Sequence, residues 1–139
     1  MFQDDIFIDN SALSRINDFH EKGSKWIISS YFHTNDGINL YGYHPPQFDK
    51  INGYLGNNGL GCPSCLSFDK NINEYFDENL IWLMDCEFYH RLFLKAGVPT
   101  VDLKPHIAIR TWNGQLTHDV NHEIKKTEYH YVLEKYRKI

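Results

Sequence analysis

Residues 76–97 read FDENLIWLMDCEFYHRLFLKAG, and the way this stretch folds decides how the remainder can be arranged. Helical from about Leu80, it would set Ile81, Phe88 and Leu92 on one face, with Asp85 between Ile81 and Phe88 on that same face. Glu87, Arg91 and Lys95 line another face, with Glu87 four residues before Arg91, the order that favours a solvated ion pair. The spacing predicts one packing side, one solvated side and a single acid on the packing side. A carboxylate at an apolar edge, near the start of a helix whose amides favour negative charge, suits a general base. The same position also suits the N-terminal cap of a helix that starts later.

Around this stretch, the composition sets the outer limits. At 139 residues the chain is expected to be a single domain, 1–139, long enough to bury a core of its own. Hydrophobic residues make up 42% and aromatics 15%, which is a globular and not a disordered composition. A formal net charge of -4 argues against a nucleic-acid binder, whose contact face is normally basic. No apolar run approaches the roughly 20 residues of a membrane span, so no transmembrane segment is expected. The opening MFQDDIFIDN carries acids where a signal peptide carries bases, which predicts a cytoplasmic protein. Cys62 and Cys65 form a C-x-x-C with Cys86 as the third thiol, so a redox pair or half of a zinc site needs histidines or a partner to complete it.

Ahead of the central stretch, FQDDIFI reads as a strand end with Asp4 and Asp5 at its edge, followed by a short extended piece through Ile6 and Ile8. Asn10 or Ser11 can cap a helix over residues 11–22, with Leu13, Ile16 and Phe19 or His20 inward and Gly23 as its stop. Residues 25–34 have strand composition, Asn35-Asp36-Gly37 is a turn, and INLYGYH forms the second strand of a hairpin closed by two prolines. Residues 52–64 hold four glycines, three asparagines, two of them consecutive, and a proline, a loop whose backbone approaches something closely or moves. It lacks the lysine and spacing of a phosphate-binding P-loop, so it reads as either a binding loop, with Gly61, Pro63 and Ser64 as contacts, or a plain connector. Beyond it, CLSFDK is a short strand. After Gly97 come an extended piece over 98–103, a strand over 106–112 ended by Asn113-Gly114, and a helix from about Thr117 to Lys138 offering Val120, Ile124, Tyr131 and Tyr136 for packing. This order predicts an α/β fold, a mixed sheet with flanking helices.

Three of these segments carry a resemblance. FQDDIFIDNSAL resembles the metal-binding acidic motif of the family 2 glycosyltransferases and the loop and helix after it. FDENLIWLMDCEFYHRLFLKAG resembles that family's later segment, in which a catalytic acid is followed six residues on by an arginine, here Asp85 and Arg91. IRTWNGQLTHDV is similar to the family's arginine-containing strand with its following loop and helix. Met84 stands where the family usually has a second acid, and Trp112 where it often has a histidine, with His118 nearby as a substitute. The family's acidic motif lies about halfway along its catalytic domain, so the resemblance implies the C-terminal, acceptor-side half of a nucleotide-diphospho-sugar transferase domain, without the nucleotide-binding half.

That resemblance implies a chemistry. A nucleotide-sugar donor leaves as a diphosphate, and Mn²⁺ or Mg²⁺ held by Asp4, Asp5 and His118 would offset the charge that builds on it. Asp85 would take the proton from the hydroxyl of a sugar or glycan acceptor in an inverting transfer. Gly61, Pro63, Ser64, Arg91 and Trp112 are the expected substrate contacts. A homo-oligomer is expected, because a chain without its other half exposes a sheet edge and helix face that proteins tend to cover by pairing. A reading from another class is a non-catalytic carbohydrate-binding or protein-interaction module, with Tyr41, Tyr43, Tyr54 and Trp112 as its contact surface. A third is a metal-dependent hydrolase using His118 and His122, which no glutamate in the zincin position supports.

Overall fold

The computed structural model describes residues 4–112 and 120–137. His118 and the Asn113-Gly114 turn lie outside them. The fold is mixed α/β: among the described residues, an open sheet of parallel and antiparallel strands with three α-helices. Its central strand, β2 (Trp26–Thr34), is buried at every position from Trp26 to Ser30. Residues of both alternating sets are covered, so both faces of this strand are packed. One edge of β2 pairs antiparallel, first with β4 (Leu66–Phe68) and further along with β3 (Tyr41–His44). The other edge runs parallel to β5 (Thr100–Arg110), and β1 (Ile6–Phe7) closes that side antiparallel, Ile6 opposite Ala108.

β5 contains the main irregularity. Ser29 pairs with Asp102 and Tyr31 with Ile107, so two residues of β2 stand opposite five of β5. The excess loops out Leu103-Lys104-Pro105, and the bulge accommodates a proline that has no amide to give the ladder. Inside it His106 is fully buried. Its Nε2 donates to Asp102, while Nδ1 faces Arg15 NH2 at 2.8 Å. A guanidinium only donates, so Nδ1 accepts and the ring is the neutral Nε2-H form. Arg15 belongs to α1 (Ala12–Glu21) and also reaches Pro105 O and Asp9, which ties this helix to the bulge. Ala12, not Leu13, is the buried residue of α1; Leu13 is 62% exposed, because the Arg15 anchor fixes how the helix is turned.

Of residues 76–97, only Met84 to Ala96 form α2. Ile81 therefore lies outside the helix and is exposed, whereas Phe88 and Leu92 pack with Trp26, Ile28, Leu60 and Ile107 as expected. The turn leading into α2 is held from a distance. Glu128 accepts from the backbone amides of Ile81, Trp82 and Leu83 at 2.8, 2.9 and 2.8 Å. Glu128 lies on α3 (His122–Tyr136), which Asn121 caps at the amide of Ile124. The packing face of α3 is Glu128, Val132 and Tyr136, at helical spacing. Tyr131, expected in that face, instead donates to Asp77.

The larger correction concerns the side of α2 expected to be solvated. Glu87 is 0% exposed. Its oxygens accept from Arg91, from Lys135 Nζ at 2.9 Å and from Tyr136 OH at 2.6 Å. Arg91 and Lys95 both pair with Glu74, and Lys135 also pairs with Asp77 at 2.6 Å. Burial pushes the Glu87 carboxyl up, but Arg91, Tyr136 and Lys135 outweigh it and hold the group below its usual value. Among the described residues no helix is long and apolar enough to cross a membrane.

Two predictions follow from these buried groups. Glu128→Ala should lower the unfolding free energy by about 3 kcal/mol, since it strips a charged acceptor from three amides; urea denaturation measures it, and a loss below about 0.5 kcal/mol would deny the carboxylate this role. Burial is the leading cause that lowers the pKa of His33, His90 and His106. The unfolded chain then binds more protons, so stability is fully present above the unfolded histidine value of about 6.5 and is lost as pH falls from there through the lower folded values. Denaturation between pH 7 and 5 should show this loss, and His106→Gln should reduce its slope.

Candidate functional site

The segment from His44 to Cys65 is a long loop that lies between the sheet and α2. Side chains rather than ladders shape it. Asp49 accepts from the amides of Ile51 and Asn52 and from Asn57 Nδ2, an Asx arrangement that starts the turn. The amide of Gln47 donates to Gly59 O at 2.7 Å. A Cβ on Gly59 would stand 2.3 Å from Gln47 O, so the backbone contact needs glycine there. Asn58 Oδ1 then accepts from the amides of Leu60 and Gly61, both at 3.1 Å.

Gly61 is the tightest point. Its φ of +94° lies in the left-handed region, and a Cβ would meet Tyr31 Cε1 at 2.5 Å. The Gly61 carbonyl accepts from Tyr89 OH at 3.0 Å and from Asn58 Nδ2 at 3.1 Å. The same Asn58 Nδ2 donates to Asp85 Oδ2 at 2.8 Å. The loop and the acid at the start of α2 are thereby one hydrogen-bonded unit. Asp85 Oδ1 also accepts from the Cys86 amide at 2.8 Å, and burial pushes the Asp85 carboxyl above its usual value. Asp85 is the second residue of α2, and the residue at the helix's N-cap position is Leu83.

Past Gly61 the chain makes a tight turn over Pro63–Cys65, closed by the Cys65 amide on Cys62 O at 3.0 Å. This turn presents Ser64 Oγ to Asp5 Oδ2 at 2.5 Å and Cys62 Sγ to the same oxygen at 3.5 Å. Asp5 Oδ1 accepts from the Arg110 amide at 3.3 Å. Asp5 is 6% exposed. It owes that place to the β1–β5 pairing, which sets the end of β1 beside the end of β5. Asp4 is half-buried, and its Oδ2 accepts from Trp112 Nε1 at 3.1 Å.

The expected site residues divide on this geometry. Asp85 and Gly61 are bonded by Asn58 and Asp5 by Ser64 of the same loop, and Asp4 stands with Trp112. Pro63 opens the turn that carries Ser64. Arg91 is elsewhere: its donors go to Glu87, Glu74 and Tyr75 O, inside the buried ion network. Its expected substrate role is not matched by a guanidinium that is already paired on every side. The residues that sequence reading passed over are Asn58, Tyr31 and Tyr89. The Asn57-Asn58 pair was a visible turn signal, but its reach to Asp85 was not.

Among the described residues, no three His, Cys, Asp or Glu side chains gather as the ligand set of a metal ion. Asp4 and Asp5 offer two carboxylates, of which Asp4 is the more open. Two carboxylates suit a cation that keeps waters and takes phosphate oxygens for its remaining positions, as Mg²⁺ does. No family model, curated protein or solved structure matches the chain.

The packing at Gly61 gives a direct test. Gly61→Ala must both strain φ and displace the Tyr31 ring, and should cost about 2 kcal/mol or more in denaturant unfolding. A neutral substitution would mean that the loop does not approach β2 this closely.

Proposed function

We propose that this chain carries the acceptor-side portion of a metal-dependent, inverting glycosyltransferase of the family 2 type, acting on a nucleotide-sugar donor and a sugar or glycan acceptor in the cytoplasm. The observation that supports this reading is one loop that bonds Asp85 through Asn58 and Asp5 through Ser64. A transferase needs a base for the acceptor hydroxyl and an anion-balancing site for the leaving diphosphate within one substrate's reach. Asp85 is the base in this reading. Burial raises its proton affinity, which suits proton abstraction, and the first-turn amides still favour its charged form. Asp4 and Asp5 would hold Mn²⁺ or Mg²⁺, which supplies positive charge to the departing diphosphate. Trp112, 55% exposed beside Asp4, offers a ring face to a substrate sugar or base. Self-association belongs to the same proposal, through the outer edge of β1, where Ile6 and Phe7 are 36% and 38% exposed.

A second reading, a carbohydrate-binding module, has the exposed rings of Tyr41, Tyr43 and Trp112 in its favour. Tyr54 does not join them, since it packs on His90 and Tyr136.

Calorimetric titration separates the two. The transferase reading expects a nucleoside diphosphate to bind only with Mn²⁺ or Mg²⁺, and Asp4→Ala to weaken that binding by about tenfold or more. Asp85→Asn should leave the binding intact and lower sugar transfer by roughly a hundredfold or more. Binding of free sugar that ignores chelator and both substitutions would replace this proposal with the module.

A further inference from the structure

We propose that Asn58 is the positioning residue for the Asp85 carboxylate, coupling it to the loop whose far end is held on Asp5. This deepens the transferase reading and rests on it.

The side-chain amide of Asn58 has two separable tasks. Oδ1 accepts from the Leu60 and Gly61 amides, a local turn that an aspartate or serine oxygen would also form. Those two amide donors also identify this atom as the oxygen, so the opposite side of the group is NH₂. Nδ2 then donates to Gly61 O and, across 27 positions of sequence, to Asp85 Oδ2. A carboxamide carries an acceptor for the turn and, on a separate atom, an N–H₂ donor for a carboxylate. The turn fixes the rotation of the group, so the direction of the second N–H is set by the loop and not by Asp85. A base held this way keeps one orientation without losing its remaining lone pairs, and preorganisation of that kind is what a proton-transfer group requires.

The surroundings leave Asn58 without a substitute. Tyr89 and Cys86 face Asp85 from α2, and Cys62 and Cys65 lie near Tyr89 from the turn that carries Ser64. Tyr89 OH donates to Gly61 O, the carbonyl that Asn58 also holds. Among the described residues, the bond from Asn58 is the one hydrogen bond that reaches the Asp85 carboxylate from outside α2.

The test follows the Asp85 carboxyl by ¹³C NMR titration of the full chain, with the resonance assigned by its loss in Asp85→Asn. Asn58→Asp keeps an oxygen for the Leu60 and Gly61 amides but turns a second carboxylate toward Asp85. The Asp85 midpoint should rise by about one pH unit or more, because two adjacent carboxylates resist sharing charge. Asn58→Ser keeps a hydroxyl for the turn and removes the Nδ2 group that reaches Asp85; the midpoint should rise by about half a unit, since a hydrogen bond to the charged form is lost. A purely structural Asn58 would change thermal stability and leave both midpoints in place, and an unmoved midpoint in either folded variant overturns the proposal. The titration uses no donor or acceptor. Moved midpoints in a chain that transfers no sugar even when joined to a nucleotide-binding half would remove the transferase reading and leave the Asn58–Asp85 coupling standing. Where transfer is measured, Asn58→Ser should lower kcat with little change in KM.

Discussion

A carboxylate cannot be buried without partners, and Glu87, between α2 and α3, is fully buried. Much of the architecture follows from how that requirement is met. Its partners come from two places, Arg91 one turn along α2 and Lys135 and Tyr136 on α3, and Glu74 completes the environment of Arg91 from the preceding segment. Counting Asp77 and Lys95, three carboxylates and three cations alternate through the cluster. Charge balance of this kind offsets the desolvation that each member suffers. It also means that α2 cannot keep its orientation unless α3 is docked. Glu128 adds a second tie between the same two helices, by holding the backbone of the turn that leads into α2.

The position of Asp85 is a by-product of these ties. It lies in the turn of α2 immediately after the segment that Glu128 holds, so the α3 contact sets where its Cα stands. The loop then sets where its carboxylate points. At the far end of the same loop, the β1–β5 pairing and the turn at Pro63–Cys65 do the same for Asp5. Two acids eighty residues apart in sequence are thus tied to one loop. That loop tolerates its close contacts because Gly59 and Gly61 carry no side chain where Gln47 O and Tyr31 sit.

The bulge in β5 shows a similar economy of contacts. It houses Pro105, buries a neutral His106 and anchors α1 through Arg15. Sequence reading found both ends of this strand and broke it in the middle, because a proline interrupts the ladder. What joined the two halves was pairing with β2 along the whole edge, a non-local contact that no window of residues contains.

Local chemistry was legible wherever a contact is made within one element or across one turn. The hairpin of β2 and β3, the short strand at Leu66–Phe68, the Phe88 and Leu92 face of α2, the stop at Gly23 and the glycine loop all follow from period, turn residues and backbone freedom. The exchanges came where a polar group's partner is distant. Glu87 and Arg91 looked solvated because their i,i+4 spacing is the same for an exposed pair and for one that α3 will cover. Ile81 looked buried because its period fits, but Glu128 ends the helix before reaching it. Sequence alone determined which stretches could be strands, helices and turns, since propensity and periodicity are properties of neighbouring residues. Tertiary structure decided which acid is buried, which asparagine meets Asp85 and which arginine is already paired, because burial and hydrogen-bond partnership depend on what the rest of the chain brings alongside.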